Sequence, residues 1–242
     1  QPRVHALTTS EASMTLRYAP GESFVNSKQR RVPVSLDAPV FTLTHAMGFK
    51  GVLGGEYNFN RTEASIWKRF WLPASWGKID CSVKAGAEWN TVPFPLLILP
   101  EANLSYITQR ETFCLINNME FLNDRFASMS ISYDMNGKLF NRIPLLKNLK
   151  WREMFRVRAL WGTLTDKNNP FKSSNPDLFR FPTRDGKFTS FVMDPKVPYV
   201  EASVGIYNIF KLLHVEYVHR FTYRDNPGIN KNGIRFMVLM VF

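Results

Sequence analysis

The chain has 242 residues, 45% of them apolar, and 31 Lys+Arg against 20 Asp+Glu give a formal net charge of +11. That apolar content excludes a disordered chain, and no run of 18 apolar residues offers a transmembrane helix. Two cysteines, Cys81 and Cys114, exclude a disulfide scaffold and a Cys-rich zinc site, and leave one bridge or two free thiols.

The opening QPRVHALTTSEAS has neither a basic nor an apolar leader, so Gln1 is not expected to be a natural start. Helical periodicity is weak throughout, and alternation with period two recurs along the chain. Candidate strands begin at 12–19, 39–49 and 57–72, the last with mixed alternation. From Lys78 to Trp89, Ile79, Cys81, Val83, Ala85 and Ala87 oppose Asp80, Ser82, Lys84, Gly86 and Glu88. From Phe126 to Tyr133, Ala127, Met129 and Ile131 oppose Ser128, Ser130 and Ser132. From Arg152 to Gly162, Phe155, Val157, Ala159 and Trp161 oppose Arg156, Arg158 and Leu160. Val200, Ala202, Val204 and Ile206 back onto Tyr199, Glu201, Ser203 and Gly205. Leu213, Val215, Tyr217, Phe221 and Tyr223 back onto His214, Glu216, Val218 and Arg220. The end alternates from Ile234 to Phe242.

The count is about nine strands of roughly 8–14 residues, long enough to span a membrane when tilted. A soluble sandwich would bury the apolar face, whereas a transmembrane barrel turns it to lipid and keeps the charged face inside. Periodicity alone fits both. Strand length, aromatics near strand ends (Trp67, Trp71, Trp76, Trp89, Trp151) and alternation of short and long links favour the barrel. The long links are Thr91–Asp124 and Thr163–Val197. The segment 136–150, NGKLFNRIPLLKNLK, reads as a moderate-length turn with an apolar middle.

The runs TTSEASMTLRYAPG (8–21), DAPVFTLTHAMGFKGVLGGEY (37–57), WNTVPFPLLILP (89–100), the stretch 120–153 and the stretch 198–242 carry a resemblance. Through them the chain resembles the C-terminal half of Bacteroidota outer-membrane barrel proteins of the DUF5686 type. In those proteins the barrel follows a carboxypeptidase-regulatory-like domain. The layout is more distantly similar to the Omp85 superfamily of sixteen-stranded assembly and translocation barrels. The resemblance implies an all-β fold, an antiparallel transmembrane β-barrel portion supplying nine or ten strands of about sixteen. Residues 112–121 are the candidate tenth strand. An open nine-stranded sheet would leave two unpaired edges in lipid, so about seven strands are expected upstream of Gln1. Residues 1–242 are accordingly read as the C-terminal part of an outer-membrane barrel domain.

The resemblance also sets a topology. The long links and 224–233 are extracellular, and 72–77, 136–150 and 208–212 are periplasmic. Thr91–Asp124 takes the place of the Omp85 loop that folds into the lumen, through Val92, Phe94, Leu96, Leu97 and Leu99. The Arg-Gly-aromatic motif of that loop is absent. Phe236, Val238, Met240 and Phe242 form a C-terminal insertion signal for the barrel-assembly machinery.

If the alternation holds, Arg156, Arg158, Glu201, Glu216, Arg220 and Arg235 share one lumen. They read either as a plug-docking or gating network, with Glu216 and Arg220 as a candidate pair, or as a hydrated structural lining. Basic clusters such as 28–31 lack an aromatic stacking platform, so nucleic acid is not expected, and contact with lipopolysaccharide or lipid headgroups fits better. His214 and His219 point to opposite faces, and no HExxH, P-loop or GxSxG motif occurs, so no catalytic residue, metal or cofactor is expected. The leading expectation is a non-enzymatic protein of the outer membrane that assists protein insertion, translocation or export. Its partners would be outer-membrane lipid, lipopolysaccharide, the assembly machinery and a protein substrate or periplasmic partner. The alternatives are a passive pore or surface anchor served by an upstream domain, a barrel phospholipase, and a soluble basic β-protein.

Overall fold

The computed structural model describes residues 6–238 except 27, 29, 36, 108–110, 174, 176–177, 182 and 185. Nine strands form one antiparallel sheet: β1 (Glu11–Tyr18), β2 (Val40–Gly48), β3 (Phe59–Trp71), β4 (Lys78–Glu88), β5 (Arg125–Asp134), β6 (Arg152–Thr163), β7 (Tyr199–Ile209), β8 (Leu213–Arg220) and β9 (Asn232–Val238). Each strand pairs with its neighbours in sequence, a meander without crossovers. The fold is all-β, as the period-two alternation demands.

Some expectations need correction. β8 stops at Arg220 rather than Tyr223, because Tyr223 adopts a left-handed φ of 52° and leaves the ladder. Residues 112–121 make no tenth strand; Phe113 and Phe121 form only isolated bridges, to Ala102 and Phe191. Two small hairpins, Phe24–Asn26 with Arg31–Pro33 and Thr183–Arg184 with Lys187–Phe188, were not anticipated. The 136–150 segment holds a 3-10 turn, Phe140–Arg142, and one short helix, α1 (Pro144–Leu149). Cys81 and Cys114 are free thiols. Cys81 belongs to the apolar face of β4, and Cys114 lies in the loop that covers the opposite face.

Register fixes what each face carries. Arg61 stands opposite Glu88 and Arg69 opposite Asp80 between β3 and β4. Arg158 stands opposite Glu201 between β6 and β7, and Glu201 opposite Arg220 between β7 and β8. Because side chains alternate strictly, these charges share one face, with Leu160 and Tyr199 among them, and the apolar residues alternating with them share the other.

The buried face is the charged one. Met14 (63% exposed), Val157 (42%) and Val204 (51%) lie open on the apolar face, as do Leu43, Ile66, Val83 and Phe236. Glu201, Glu216, Arg158 and Arg220 are buried on the other. The covering material is the loop 89–124, the loop 164–198 and the turn after β8. Phe59, Val92, Leu97, Leu122, Leu164 and Phe181 form one apolar cluster beneath it. Phe113, Ile116, Phe121, Leu160, Met193 and Tyr199 form a second. The core therefore lies between the charged face and its loops, not on the apolar face.

Sharp turns at the other end of the strands hold the sheet in register. Gly77, at φ 90°, closes the β3–β4 turn by accepting the Leu72 amide at 2.9 Å. A Cβ there would lie 1.8 Å from the Asp134 carbonyl oxygen. Gly77→Ala is expected to cost at least about 1–3 kcal/mol, through both strain and the backbone clash. Gly228→Ala, at φ 73° in open space, should cost less. Denaturant midpoints followed by tryptophan fluorescence would check the ranking.

Candidate functional site

On the charged face the buried carboxylates Glu201 and Glu216 are met by arginines of β6, and the buried Arg220 is met by Glu120 of a loop. Arg156 Nη1 donates to both oxygens of Glu216 at 3.1 Å. Ser203 Oγ also donates to Glu216, and His214 Nε2 lies 3.5 Å from it. Arg158 Nη1 donates to Glu201 Oε1 at 2.9 Å and to the Cys114 sulfur at 3.3 Å. These pairings connect β6, β7 and β8 across two consecutive ladders.

A second layer ties the loop 89–124 down. Glu201 accepts the Cys114 amide at 2.8 Å, the Leu115 amide at 3.1 Å and the Tyr199 hydroxyl at 2.9 Å. Arg235 Nη2 donates to the Cys114 carbonyl at 2.5 Å. Arg220 donates to the Leu115 carbonyl at 3.2 Å and makes a two-pronged pair with Glu120, at 3.0 and 2.5 Å. Its guanidinium also lies 4.8 Å from the Tyr199 ring centroid. Burial pushes the Cys114 thiol up, so the sulfur that Arg158 meets is the neutral thiol.

The loops also hold one another. Asp124, fully buried, accepts the Thr165 amide and hydroxyl and the Asn168 side chain. The Val92 amide donates to Asn168 at 2.9 Å, and the Phe191 amide to the Glu120 carbonyl at 2.7 Å. Tyr223 donates its hydroxyl to the Val197 carbonyl at 2.7 Å. The cover is one bonded unit across three links.

All six charges singled out from the sequence lie on this face. The suspected Glu216–Arg220 pair does not form: Glu216 goes to Arg156, and Arg220 goes to Glu120. Glu120 carried no periodic signal, because it sits in an irregular loop. Of the apolar loop residues, Val92 and Leu97 are buried, Phe94 and Leu96 pack against the same cluster, and Leu99 stays more than a third exposed. Phe236 and Val238 lie on the exposed apolar face of β9. Met240 and Phe242 lie outside the described residues. The free edge of β9 is met by the loop: the Phe236 amide donates to the Tyr106 carbonyl at 2.8 Å.

A cavity of about 540 Å³ adjoins the network, lined by Arg69, Asp80, Lys84, Ser130, Arg156 and His214 among others. Within its lining Arg69 pairs with Asp80 at 2.6 Å and Lys84 with Glu101 at 3.0 Å. Ser203 bonds a carboxylate rather than a histidine, so it lacks the adjacent base an activated serine needs. Among the described residues, no group of three or more His, Cys, Asp or Glu could hold a metal ion. The electrostatic network holds the backbone of residues 114 and 115 against the sheet.

Truncating either partner of a buried ion pair costs about 3–5 kcal/mol, because the other charge is stranded. Glu120→Ala and Arg220→Ala should each destabilise by that amount, and the double variant by clearly less than the sum. Glu216→Ala with Arg220→Ala should be additive, since the two share no partner. Denaturant titrations of the four variants and the wild type decide it.

The C-terminal domain profile of the family of unknown function DUF5686 matches residues 2–171. A comparison with curated proteins gave no match. The matched span takes in β1 to β6, and β7 to β9 continue the same sheet, since β7 pairs with β6 over nine positions from Tyr199–Leu160 to Tyr207–Arg152. More than half of the chain is covered, so the chain belongs to the DUF5686 family, through its C-terminal domain.

Proposed function

We propose that this chain is the C-terminal part of a non-enzymatic outer-membrane β-barrel that helps proteins insert into, cross or leave the outer membrane. The carrying observation is the inverted sheet: apolar residues from Met14 on β1 to Phe236 on β9 are exposed on one face, whereas Arg156, Arg158, Glu201, Glu216 and Arg220 on β6 to β8 are buried on the other. Soluble monomers rarely leave so continuous an apolar surface in water. A lipid-facing wall with a polar interior has this polarity as its normal arrangement.

The role in protein handling rests on the likeness to Omp85 barrels and on the edge of β9. In a closed barrel the last strand meets the first at a seam. Among the described residues, the outer edge of β9 is met by the loop residues Tyr106 and Ile107, with the Phe236 amide donating to the Tyr106 carbonyl. An edge met by a loop rather than by a further strand of the sheet can exchange partners. The second reading is a surface anchor served by an upstream domain. It is favoured by the density of fixed ion pairs under the loops, which would make the interior a filled support.

Two measurements test this. Val204→Arg places a cation in the middle of the outward face of β7; at a bilayer midplane this costs about 2–4 kcal/mol and should lower outer-membrane levels. In water the same change would fall within about 0.5 kcal/mol, and normal levels would refute the membrane reading. Depleting the full-length protein and quantifying surface proteins separates the roles. The handling reading expects a subset to fall; an unchanged surface proteome favours the anchor.

A further inference from the structure

The rim at the short-turn end of the sheet carries a basic and apolar belt that the network on the charged face does not use. Residues 136–150 contain four cations, Lys138, Arg142, Lys147 and Lys150, and no acidic residue. Interleaved with them, Leu145 is 79% exposed, and Ile143 and Leu149 are each nearly half exposed. The belt is built rather than loose. Lys138 Nζ donates to the Ala74 carbonyl of the preceding turn at 2.9 Å, and Lys138 and Arg142 lie 5.1 and 6.0 Å from the Trp76 ring centroid. On the other side, Asn208 Nδ2 donates to the Lys150 carbonyl at 2.7 Å, beside Phe210, which is 85% exposed.

Nearby acids do not offset these cations. Glu153 is buried and accepts the Phe140 amide, and Asp134 is taken up by Tyr207 and by Lys78 at 3.8 Å. Cations alone would suit an acidic protein equally well. The exposed leucines favour lipid, because the segment runs directly into β6, whose outward face carries the exposed Phe155 and Val157. A short amphipathic segment of this kind lies in the interface, with its apolar side chains in the acyl boundary and its cations among headgroups.

We infer that Asn136–Lys150, α1 included, is an interfacial anchor that binds anionic phospholipid headgroups at the short-turn rim of the sheet. The inference rests on the membrane reading above. It adds which segment meets the bilayer surface and which headgroup charge it selects.

The test uses the full-length protein reconstituted in phosphatidylcholine bilayers, with or without one third phosphatidylglycerol. An environment-sensitive fluorophore is attached at Leu145→Cys in a Cys81→Ala background; Cys114 is buried and stays unlabelled. We expect blue-shifted emission, quenching by lipids brominated near the headgroup, and stronger quenching with phosphatidylglycerol. Reversing Lys138, Arg142, Lys147 and Lys150 to Glu should weaken the phosphatidylglycerol preference by about tenfold or more. Heat-modifiable gel mobility should persist in that variant.

Water-like emission in both bilayers, from protein that still shows heat-modifiable mobility, overturns the anchor and leaves the membrane reading standing. Emission that shifts only on self-association, or only with an acidic protein, gives the face to that partner and likewise overturns it. Protein that stays soluble and heat-indifferent removes both readings at once.

Discussion

A carboxylate sealed between a sheet and the loop above it must find donors for its oxygens, or it will not stay ionised and folded in place. Glu201 finds four: the Arg158 guanidinium, the Tyr199 hydroxyl and the amides of Cys114 and Leu115. Two come from the sheet and two from the loop. The same group therefore joins β6 to β7 and fastens residues 89–124 over both. Arg220 repeats the device with opposite sign, using Glu120 and the Leu115 carbonyl. Desolvating these charges is unfavourable by itself, so their value lies in fixing where the loop sits. The adjoining apolar clusters around Val92 and Phe121 supply the burial that keeps it there.

This arrangement explains how a sheet can keep its charged side inward. Alternation forces every strand to place its polar residues together, and register lines up Arg158, Glu201 and Arg220 across neighbouring strands. Backbone ladders then hold the charges close enough to pair. The outward side needs no covering of its own if lipid is its solvent. Its valines, leucines and aromatics form an apolar surface of the kind bilayers accept, and every strand between β1 and β9 has its backbone paired on both sides.

The two ends of the strands are differently equipped. One end carries the long interlocked loops, in which Asp124, Asn168, Glu120 and Tyr223 bridge from link to link. The other carries tight turns, a short helix and cations stacked beside Trp76. The first end is built for burial and the second for contact with a surface. The cavity beside the ion pairs runs from Ile98 and Glu101 of the first end to Lys78, Arg152 and Tyr207 near the turns, and Arg69 and Lys84 are paired within its lining.

The sequence by itself determined the strands and their faces, because a period of two is written into consecutive residues and needs no distant partner. Ile79 to Ala87 and Phe155 to Trp161 could be assigned from alternation alone, and so could the common face of Arg156, Glu201, Glu216 and Arg220. The partners could not. Glu120 lies in an irregular loop, 100 residues from Arg220, and nothing local marks it. Glu216 and Arg220 sit four residues apart on one strand and face, yet each pairs elsewhere, because antiparallel register and the loop's path set which charge lies nearest. The end of β8 and the absence of a strand at 112–121 were decided in the same way. Tyr223 leaves the ladder to bond Val197, and Phe113 leaves extended pairing to pack on Tyr199. Tertiary structure settled those points because long-range packing and charge pairing outweigh a local β preference wherever both compete for the same residue.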